Sequence, residues 1–323
     1  MRRDLLGILE AAYADVDEAR WRAALLDAAG VLDRGLGLVF ARSLVEGGAH
    51  RYADVATSAK VPKRLVREFV AAGDRVDGAT LQTFARSAGR TGSMLVGEEA
   101  ISATYGRFMN RHGVADCIGV NGIVDDTTVV GLYVLLPRFT HLHPRTVRQH
   151  ELVGVHLSAA VRSRTSGATD EAWVAPSGRV LDARGDAEGD REPIARRVRA
   201  IEATRTRRGR SDVDQALALW KGLVTGRWTL LERFDSDGRR HFVARRNAPR
   251  FALATRLTPR EAAVATLIAL GQSQKLVAYT LGLSPARVSA LLDGALLKLG
   301  ACSISDLVTL GAALLRREPA DLA

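Results

Sequence analysis

Apolar and polar positions along the chain predict three regions. Residues 1–30 have an apolar stripe at helical spacing, and strand-like runs then alternate with helical runs as far as residue 137. One run in this region, residues 91–97, is predicted as a strand. A long amphipathic helix, predicted from about Pro144 to Arg164, closes the region. Strands that follow one another, with helices between and around them, indicate an antiparallel sheet covered by helices. We therefore expect an α+β domain over residues 1–165.

The middle of the chain predicts a smaller α+β unit. Small and polar residues at 165–172 are typical of a linker. Two hairpins follow, one with a turn at Pro176-Ser177-Gly178 and one with a turn at Asp237-Gly238. Two helices are predicted between them, at about 193–205 and 211–224. Residues 170–248 are therefore expected to form a connecting subdomain.

Helix start and stop signals are densest near the C-terminus. The run Thr258-Pro259-Arg260-Glu261 predicts a capping box, in which the threonine hydroxyl accepts from the glutamate N–H and the carboxylate reaches back. Apolar residues follow at helical spacing until Gly271, which favours a helix end. A second helix is predicted from about Lys275 to Thr280, and a third begins at Ser284-Pro285.

The join between the second and third helices has the spacing of a helix-turn-helix motif. Ala278 is small where two helices approach closely, and Gly282, four residues later, suits a left-handed turn. Val288 fits the angle between the helices, and Leu291 follows one turn later. This arrangement predicts that the third helix enters the major groove of DNA.

The run LTPRE…LGLSPARV…ALLKLG, followed by SISDLV, resembles the C-terminal DNA-binding domain of LuxR-type (GerE-like) bacterial transcriptional regulators. The resemblance implies an all-α tetrahelical helix-turn-helix domain over residues 254–318, here called the reader domain, with double-stranded DNA as its partner. The element order of residues 1–165 resembles a GAF or PAS-type sensor domain, which implies a small-molecule or protein signal. RNA polymerase is a candidate further partner of such a multidomain regulator.

The side of the third helix opposite Val288 and Leu291 is expected to face the groove. With nearby helix starts and cations, the predicted DNA-binding residues are Lys275, Ser284, Ala286, Arg287, Ser289, Ala290, Asp293 and Lys298. Relatives often carry a basic or hydrogen-bonding residue where this chain has Ser289 and Asp293, and a histidine where it has Leu291. An aspartate repels phosphate, although it accepts a hydrogen bond from cytosine. Whether these substitutions weaken DNA binding is left open.

The predicted fourth helix of the reader domain, residues 304–315, carries an apolar stripe of Leu307, Leu310 and Leu314 beside Gly311. Related domains pair through this helix, so the resemblance implies a homodimer held by the stripe. Two readers on a two-fold axis would match a pseudo-palindromic site. The alternative is that the stripe packs only on its own domain.

Charge and composition narrow the function classes. The formal net charge of +10 favours a polyanionic partner. No apolar run approaches the length of a membrane span, and the first 21 residues lack a signal-peptide core, so we expect a cytoplasmic protein with no membrane partner. Cys117 and Cys302 lie in different predicted domains, which argues against a disulfide framework or a zinc site.

Catalytic and metal-binding patterns are not found. The sequence has no nucleophile motif and no phosphate-binding glycine loop, so we expect no enzyme activity and no cofactor. Four histidines, close in sequence, lack the spacing of ligands on one helix face. These are His141, His143, His150 and His156.

Two alternatives are left open. The arginine-rich run 196–210 contacts the phosphate backbone or is a solvated helix face and loop. The rival to a DNA-binding regulator is a non-DNA-binding interaction or sequestering protein with a degenerate helix-turn-helix domain. A continuous basic rim around the third helix would favour DNA, whereas an apolar or acidic face would favour a protein partner.

Overall fold

Two four-stranded antiparallel sheets organise the first 246 residues in this computed structural model. The first sheet has the order β2-β1-β4-β3, and its strands are β1 Leu38–Glu46, β2 Ala49–Thr57, β3 Asp116–Ile123 and β4 Thr128–Leu136. The second has the order β6-β5-β8-β7, and its strands are β5 Asp170–Val174, β6 Val180–Ala183, β7 Trp228–Phe234 and β8 Arg240–Arg246. Each sheet is thus a pair of hairpins, joined where the first strand of one hairpin pairs with the last strand of the other.

The described residues are 4–46, 49–73, 84, 87–124, 128–165, 169–224, 228–246, 257–269, 273–299, 303–304 and 307. The chain divides into two units. The first comprises Met1–Trp220 and Leu230–Arg245, and the second comprises Lys221–Thr229 and Arg246–Ala323. The first unit therefore contains the predicted sensor region together with most of the predicted connecting subdomain. The division into three domains stays a prediction.

Helices cover both faces of the first sheet. The helices described before Trp228 are α1 Leu5–Ala12, α2 Glu18–Ala29, α3 Lys63–Gly73, α4 Gly92–Val96, α5 Glu98–Met109, α6 Pro144–Thr165, α7 Arg191–Arg205, α8 Arg207–Ser211 and α9 Val213–Val224. On one face, Val39 and Leu135 pack with Leu65 of α3 and Met109 of α5. On the other face α6 lies against β3 and β4, and Trp21 of α2 meets Phe40 edge to face. Neighbouring residues of β1 thus enter opposite cores, as the alternation of a strand requires.

The predicted α+β class with antiparallel sheets is confirmed for this region. The long helix predicted from Pro144 to Arg164 is present as α6, and both predicted turn glycines, Gly178 and Gly238, have positive φ. The predicted strand at 91–97 is wrong, because these residues form α4. Its start is capped by Thr91, whose hydroxyl accepts from the N–H of Met94 at 3.3 Å, and Asp116 Oδ1 accepts from the N–H of Ser93 at 3.2 Å. Caps outweigh a short apolar alternation here.

The second unit contains three consecutive helices in its described part, namely α10 Pro259–Ala269, α11 Gln274–Leu281 and α12 Pro285–Leu299. The predicted capping box is confirmed: the N–H of Glu261 donates to Thr258 Oγ1 at 3.3 Å, and the N–H of Thr258 donates to Glu261 Oε2 at 2.8 Å. The predicted stop at Gly271 lies outside the described residues. Of the predicted fourth helix, Ile304 and Leu307 are helical, and Leu310 and Leu314 lie outside the described residues.

Candidate nucleic-acid interface

The turn between α11 and α12 depends on Gly282. Its φ of 61° and ψ of 34° lie in the left-handed region that residues other than glycine rarely adopt. The N–H of Leu283 donates to the Ala278 carbonyl at 2.9 Å, which closes the end of α11. A Cβ at position 282 would meet no described atom within 4 Å, so the requirement for glycine is conformational.

The inner face of the two helices is apolar and buried. Ala278, Val288 and Leu291 are all buried, at the positions that the helix-turn-helix spacing predicts. Leu292 and Ala295 extend the buried side of α12 toward its C-terminal end. Because this side of α12 packs inward, the opposite side must face outward.

The outer face of α12 carries the predicted base-contacting residues. Ser289 is half-buried, and the exposed ones are Ala286, Arg287, Ala290 and Asp293. Positions 286, 290 and 293 are four and three residues apart, so they lie along one side of the helix. We call Ala286, Ala290 and Asp293 the outer stripe. It contains two methyl groups and one carboxylate, with the cation of Arg287 beside them, so the described part of this face is not a continuous basic rim.

Ser284 forms the N-cap of α12. Its hydroxyl oxygen accepts from the N–H of Arg287 at 3.2 Å, and both residues are exposed. The cap leaves the proton of the hydroxyl as a donor, and the first N–H groups of a helix attract anions. The start of α12 is thus chemically suited to a phosphate oxygen.

Lys275, in the first turn of α11, is exposed. Leu276 and Tyr279 on the same helix are also exposed, by 49% and 87% of their areas. Lys275 and Tyr279 are one turn apart and share a side of α11. The structure therefore presents an ammonium group and a phenol together on the helix before the outer stripe.

Lys298 is engaged within the reader domain. Its Nζ lies 2.6 Å from Glu261 Oε2, and the Glu261 side chain is only 11% exposed. Burial raises the pKa of the Glu261 carboxyl, but hydrogen bonds from Lys298 and from the Thr258 N–H outweigh it, so the pKa lies below its ordinary value of 4.5. The role of Lys298 as a phosphate contact stays a prediction. To contact phosphate, its ammonium group would have to be shared with Glu261.

The ion pair between Lys298 and Glu261 also explains why position 294 is a glycine. A Cβ at Gly294 would approach Glu261 Oε1 to 2.8 Å, so glycine makes room for the carboxylate. The sequence predicted Glu261 as a capping residue and missed its second partner. The two charged residues are 37 positions apart, and no local pattern connects them.

The predicted dimerisation stripe is described only at Leu307, which is 1% exposed in the single chain. Its side chain is therefore already buried without a second copy. Dimerisation through Leu310 and Leu314 remains a prediction.

Within the first unit, several arginines of the run 196–210 are bound to carboxylates. Arg210 contacts Asp4 at 2.6 Å and also pairs with Glu10. Arg205 Nη1 donates to Glu232 Oε1 at 3.1 Å. These pairs tie α7 and α8 to the N-terminal helix and to β7. By contrast, Arg207 and Arg208 are exposed.

The histidines differ in environment. His156 is buried beside Tyr13, whose hydroxyl lies 3.0 Å from His156 Nδ1, and burial lowers the pKa of His156 to about 3. His150 is also buried and its pKa is lowered by the same cause, whereas His141 and His143 are exposed. In the part of the chain that the structure describes, no three His, Cys, Asp or Glu side chains form a metal-binding group.

The first unit has a cleft of about 270 Å³ between the C-terminal end of α6 and the first sheet. Apolar side chains, including Leu44, Val124 and Val161, line it together with Arg42. Asp54 accepts from Arg22 Nη1 at 2.5 Å, whereas Arg42 Nη2 lies 4.0 Å from the same carboxylate. Two guanidinium groups thus lie within 4.0 Å of one carboxylate.

A family model described as bacterial regulatory proteins of the luxR family matches residues 255–310. This confirms the predicted LuxR-type domain and supports a DNA-binding helix-turn-helix regulator. The match covers the three described helices of the second unit and does not extend into the first unit. A search of curated proteins finds no match for this chain. Among the described residues, no helix is both long enough and apolar enough to cross a membrane.

Proposed function

We propose that this protein is a homodimeric transcriptional regulator whose reader domain binds duplex DNA and whose first unit receives a signal. The observation that carries the proposal is the geometry of α11 and α12. A left-handed Gly282 joins them, Val288 and Leu291 fill the angle, and the opposite side of α12 stays exposed. This is the arrangement that places a helix in the major groove.

Backbone contacts in this proposal come from the edges of the outer stripe. Lys275 and Arg287 supply exposed positive charge, and Ser284 supplies a capped helix start. Tyr279 is a further candidate, because its exposed hydroxyl can donate to a phosphate oxygen. Because most of the affinity is expected to come from phosphate contacts, and each one adds about 0.9 to the slope of log affinity against log salt, affinity should fall as salt rises.

Reversal of one charge at this surface tests DNA binding. Arg287→Glu places a carboxylate where phosphate is expected, and we expect at least a tenfold loss of affinity of the full-length protein for duplex DNA at low salt. Arg260→Glu is the matched control, because Arg260 is an exposed residue of α10 and lies on neither helix of the motif. Equal effects of the two variants, or no duplex binding by the wild type at low salt, would contradict the proposal. The second outcome would favour a protein partner.

The homodimer is proposed to form through Leu310 and Leu314. A paired reader would contact two half-sites and bind more tightly than one reader alone. Leu310→Asp with Leu314→Asp is expected to give a monomer in sedimentation and to weaken operator binding. Leu307 is left intact because it is already buried in the single chain. A variant that remains dimeric would rule out this helix as the interface.

Signal reception is proposed for the cleft beside Arg42. Its apolar walls and the guanidinium of Arg42 suit a small amphipathic carboxylate. A thermal-shift screen with medium-chain carboxylates such as octanoate tests this on the wild type and on Val161→Phe, which would fill the cleft. Stabilisation of the wild type alone is expected, whereas equal stabilisation of both would place the ligand elsewhere. As a DNA-binding regulator, the protein would act in the cytoplasm of a bacterial cell, with RNA polymerase as a further candidate partner.

A further inference from the structure

The outer stripe of α12 has an unusual set of groups for a surface that faces base edges. It presents the methyl groups of Ala286 and Ala290 and the carboxylate of Asp293, all exposed. Arginine and lysine recognise guanine, and asparagine and glutamine recognise adenine, through paired hydrogen bonds. None of these four residue types occurs in the stripe, and Arg287 lies to one side of it. The stripe therefore lacks the groups that most often read purines.

Its own groups have defined partners in the major groove. An alanine methyl packs against the C5-methyl group of thymine. A carboxylate accepts a hydrogen bond from the N4 amino group of cytosine and is repelled by phosphate. Ser289, half-buried beside the stripe, can bond to any base and adds no strong preference.

We infer that the outer stripe reads pyrimidines: thymine methyl groups at Ala286 and Ala290, and a cytosine amino group at Asp293. This inference rests on the proposed function, because it concerns the DNA that the reader domain binds. Seven residues of helix separate Ala286 from Asp293, a rise of about 10 Å. Base pairs are 3.4 Å apart along one strand. The thymines and the cytosine therefore lie within about three base pairs of one another in each half-site.

Asp293 also explains how selectivity arises with few cations. A carboxylate on the outer stripe lowers affinity for any duplex, because it approaches the phosphates without a compensating bond. That cost is recovered only where a cytosine amino group meets it. Asp293 thus acts mainly against wrong sequences, while Lys275 and Arg287 supply attraction that does not depend on sequence.

The test begins with selection of duplexes from a random pool by the full-length protein. The selected half-site is expected to contain thymines with a cytosine within about three base pairs. Replacing the thymine opposite Ala290 with deoxyuridine removes one methyl group, and we expect about a fourfold loss of wild-type affinity. With Ala290→Gly, the thymine and uracil duplexes should bind equally. Because two DNAs are compared on one protein, a change in the stability of α12 cancels.

The role of Asp293 is tested separately with two variants. Asp293→Asn should shift the preferred base from cytosine to adenine, because asparagine pairs with adenine N6 and N7. Asp293→Ala should lose the cytosine preference and gain affinity for unselected DNA. Selected sites without thymine and cytosine, or an unchanged thymine-to-uracil ratio in Ala290→Gly, would overturn the inference and leave DNA binding intact. Absence of any duplex binding at low salt would overturn the proposed function as well.

Discussion

The arginine-rich segment 191–246 and the reader domain differ in how they use charge. Residues 191–246 contain 15 Lys and Arg against 7 Asp and Glu, a surplus of eight within the net +10 of the whole chain. Residues 257–299 contain 4 Lys and Arg against 2 Asp and Glu, a surplus of two. On charge alone, the arginine-rich segment would be the better candidate for DNA binding.

The contacts show that several of these arginines are already paired with carboxylates. Arg205 and Arg210 bind carboxylates in the first unit, Arg240 binds Glu202, and Arg245 binds Asp170. For Arg210, burial lowers the pKa of the guanidinium, but the hydrogen bonds that it donates to Asp4 and Glu10 outweigh this effect and raise that pKa. Much of the positive charge in this segment is thus committed to folding. A net charge indicates a polyanionic partner only where the cations are exposed beside a surface that fits it.

The largest effect is expected from Trp220→Ala, which removes a buried ring that stacks on Tyr13 and donates to Thr204 Oγ1 at 2.9 Å. Loss of a buried tryptophan costs about 3–5 kcal/mol. Chemical denaturation of the full-length protein should show this loss for the first unit, while DNA affinity at low salt stays within about threefold, as expected for sites without shared partners. The neighbouring Leu219→Ala is the control, because Leu219 is exposed. A collapse of DNA affinity in Trp220→Ala alone would break the proposed separation of roles.

Gly282→Val is a change in the reader domain, whereas Trp220→Ala is a change in the first unit. A β-branched residue in the left-handed region costs on the order of 1–3 kcal/mol, and that strain falls on the turn before α12. We expect reduced stability of the reader domain and loss of DNA binding, with the first unit unaffected in the same denaturation experiment. Gly282→Asn should be milder, since asparagine tolerates this conformation. If valine and asparagine behaved alike and both kept native affinity, the turn would not set the angle of α12.

As the pH falls, the free energy of unfolding of the first unit should decrease before that of the reader domain. The pKa of buried His156 is about 3, below its ordinary value of 6.5, so the unfolded state binds more protons between these values and stability falls as pH decreases. At pH 5 this amounts to about 2 kcal/mol relative to neutral pH. Residues 257–299 contain no histidine, and the contribution of Glu261, whose pKa is lowered, is lost only as pH falls below 4.5.

Unfolding measured against pH checks this difference. His156→Asn should flatten the dependence of the first unit between pH 7 and 5, although His150, whose pKa is also lowered, will preserve part of it. The exposed His141→Asn should leave the curve unchanged. An unaltered pH dependence in His156→Asn would mean that the imidazole is not held neutral by burial.

Local signals in the sequence predicted most of the elements. Capping boxes, turn glycines and apolar periodicity act within a few residues, so Thr258, Gly282 and the long helix α6 could be predicted from the sequence. The strand predicted at 91–97 failed because its alternation was short and because Asp116, 23 residues away, helps to cap the helix. Caps supplied by distant residues are not visible in a local pattern.

Long-range ion pairs were the other feature that could not be predicted from the sequence. The exposed face of α12 follows from helical periodicity, so the outer stripe could be predicted. The Lys298–Glu261 pair joins residues 37 apart, and the Arg210–Asp4 pair joins residues 206 apart. Whether a cation is exposed or committed to such a pair depends on tertiary structure, so a charge run alone does not locate the exposed cations.

The most direct test of the account measures how DNA affinity depends on salt in two matched double variants of the full-length protein. Each lysine or arginine at a phosphate contributes about 0.9 to the slope of log affinity against log salt. Lys275→Ala with Arg287→Ala should reduce the steepness of this slope by nearly two and weaken binding. Arg207→Ala with Arg208→Ala removes two exposed cations of the arginine-rich segment and should leave the slope unchanged. A slope that falls in the Arg207 and Arg208 variant, and stays the same in the Lys275 and Arg287 variant, would contradict the assignment of DNA binding to the reader domain.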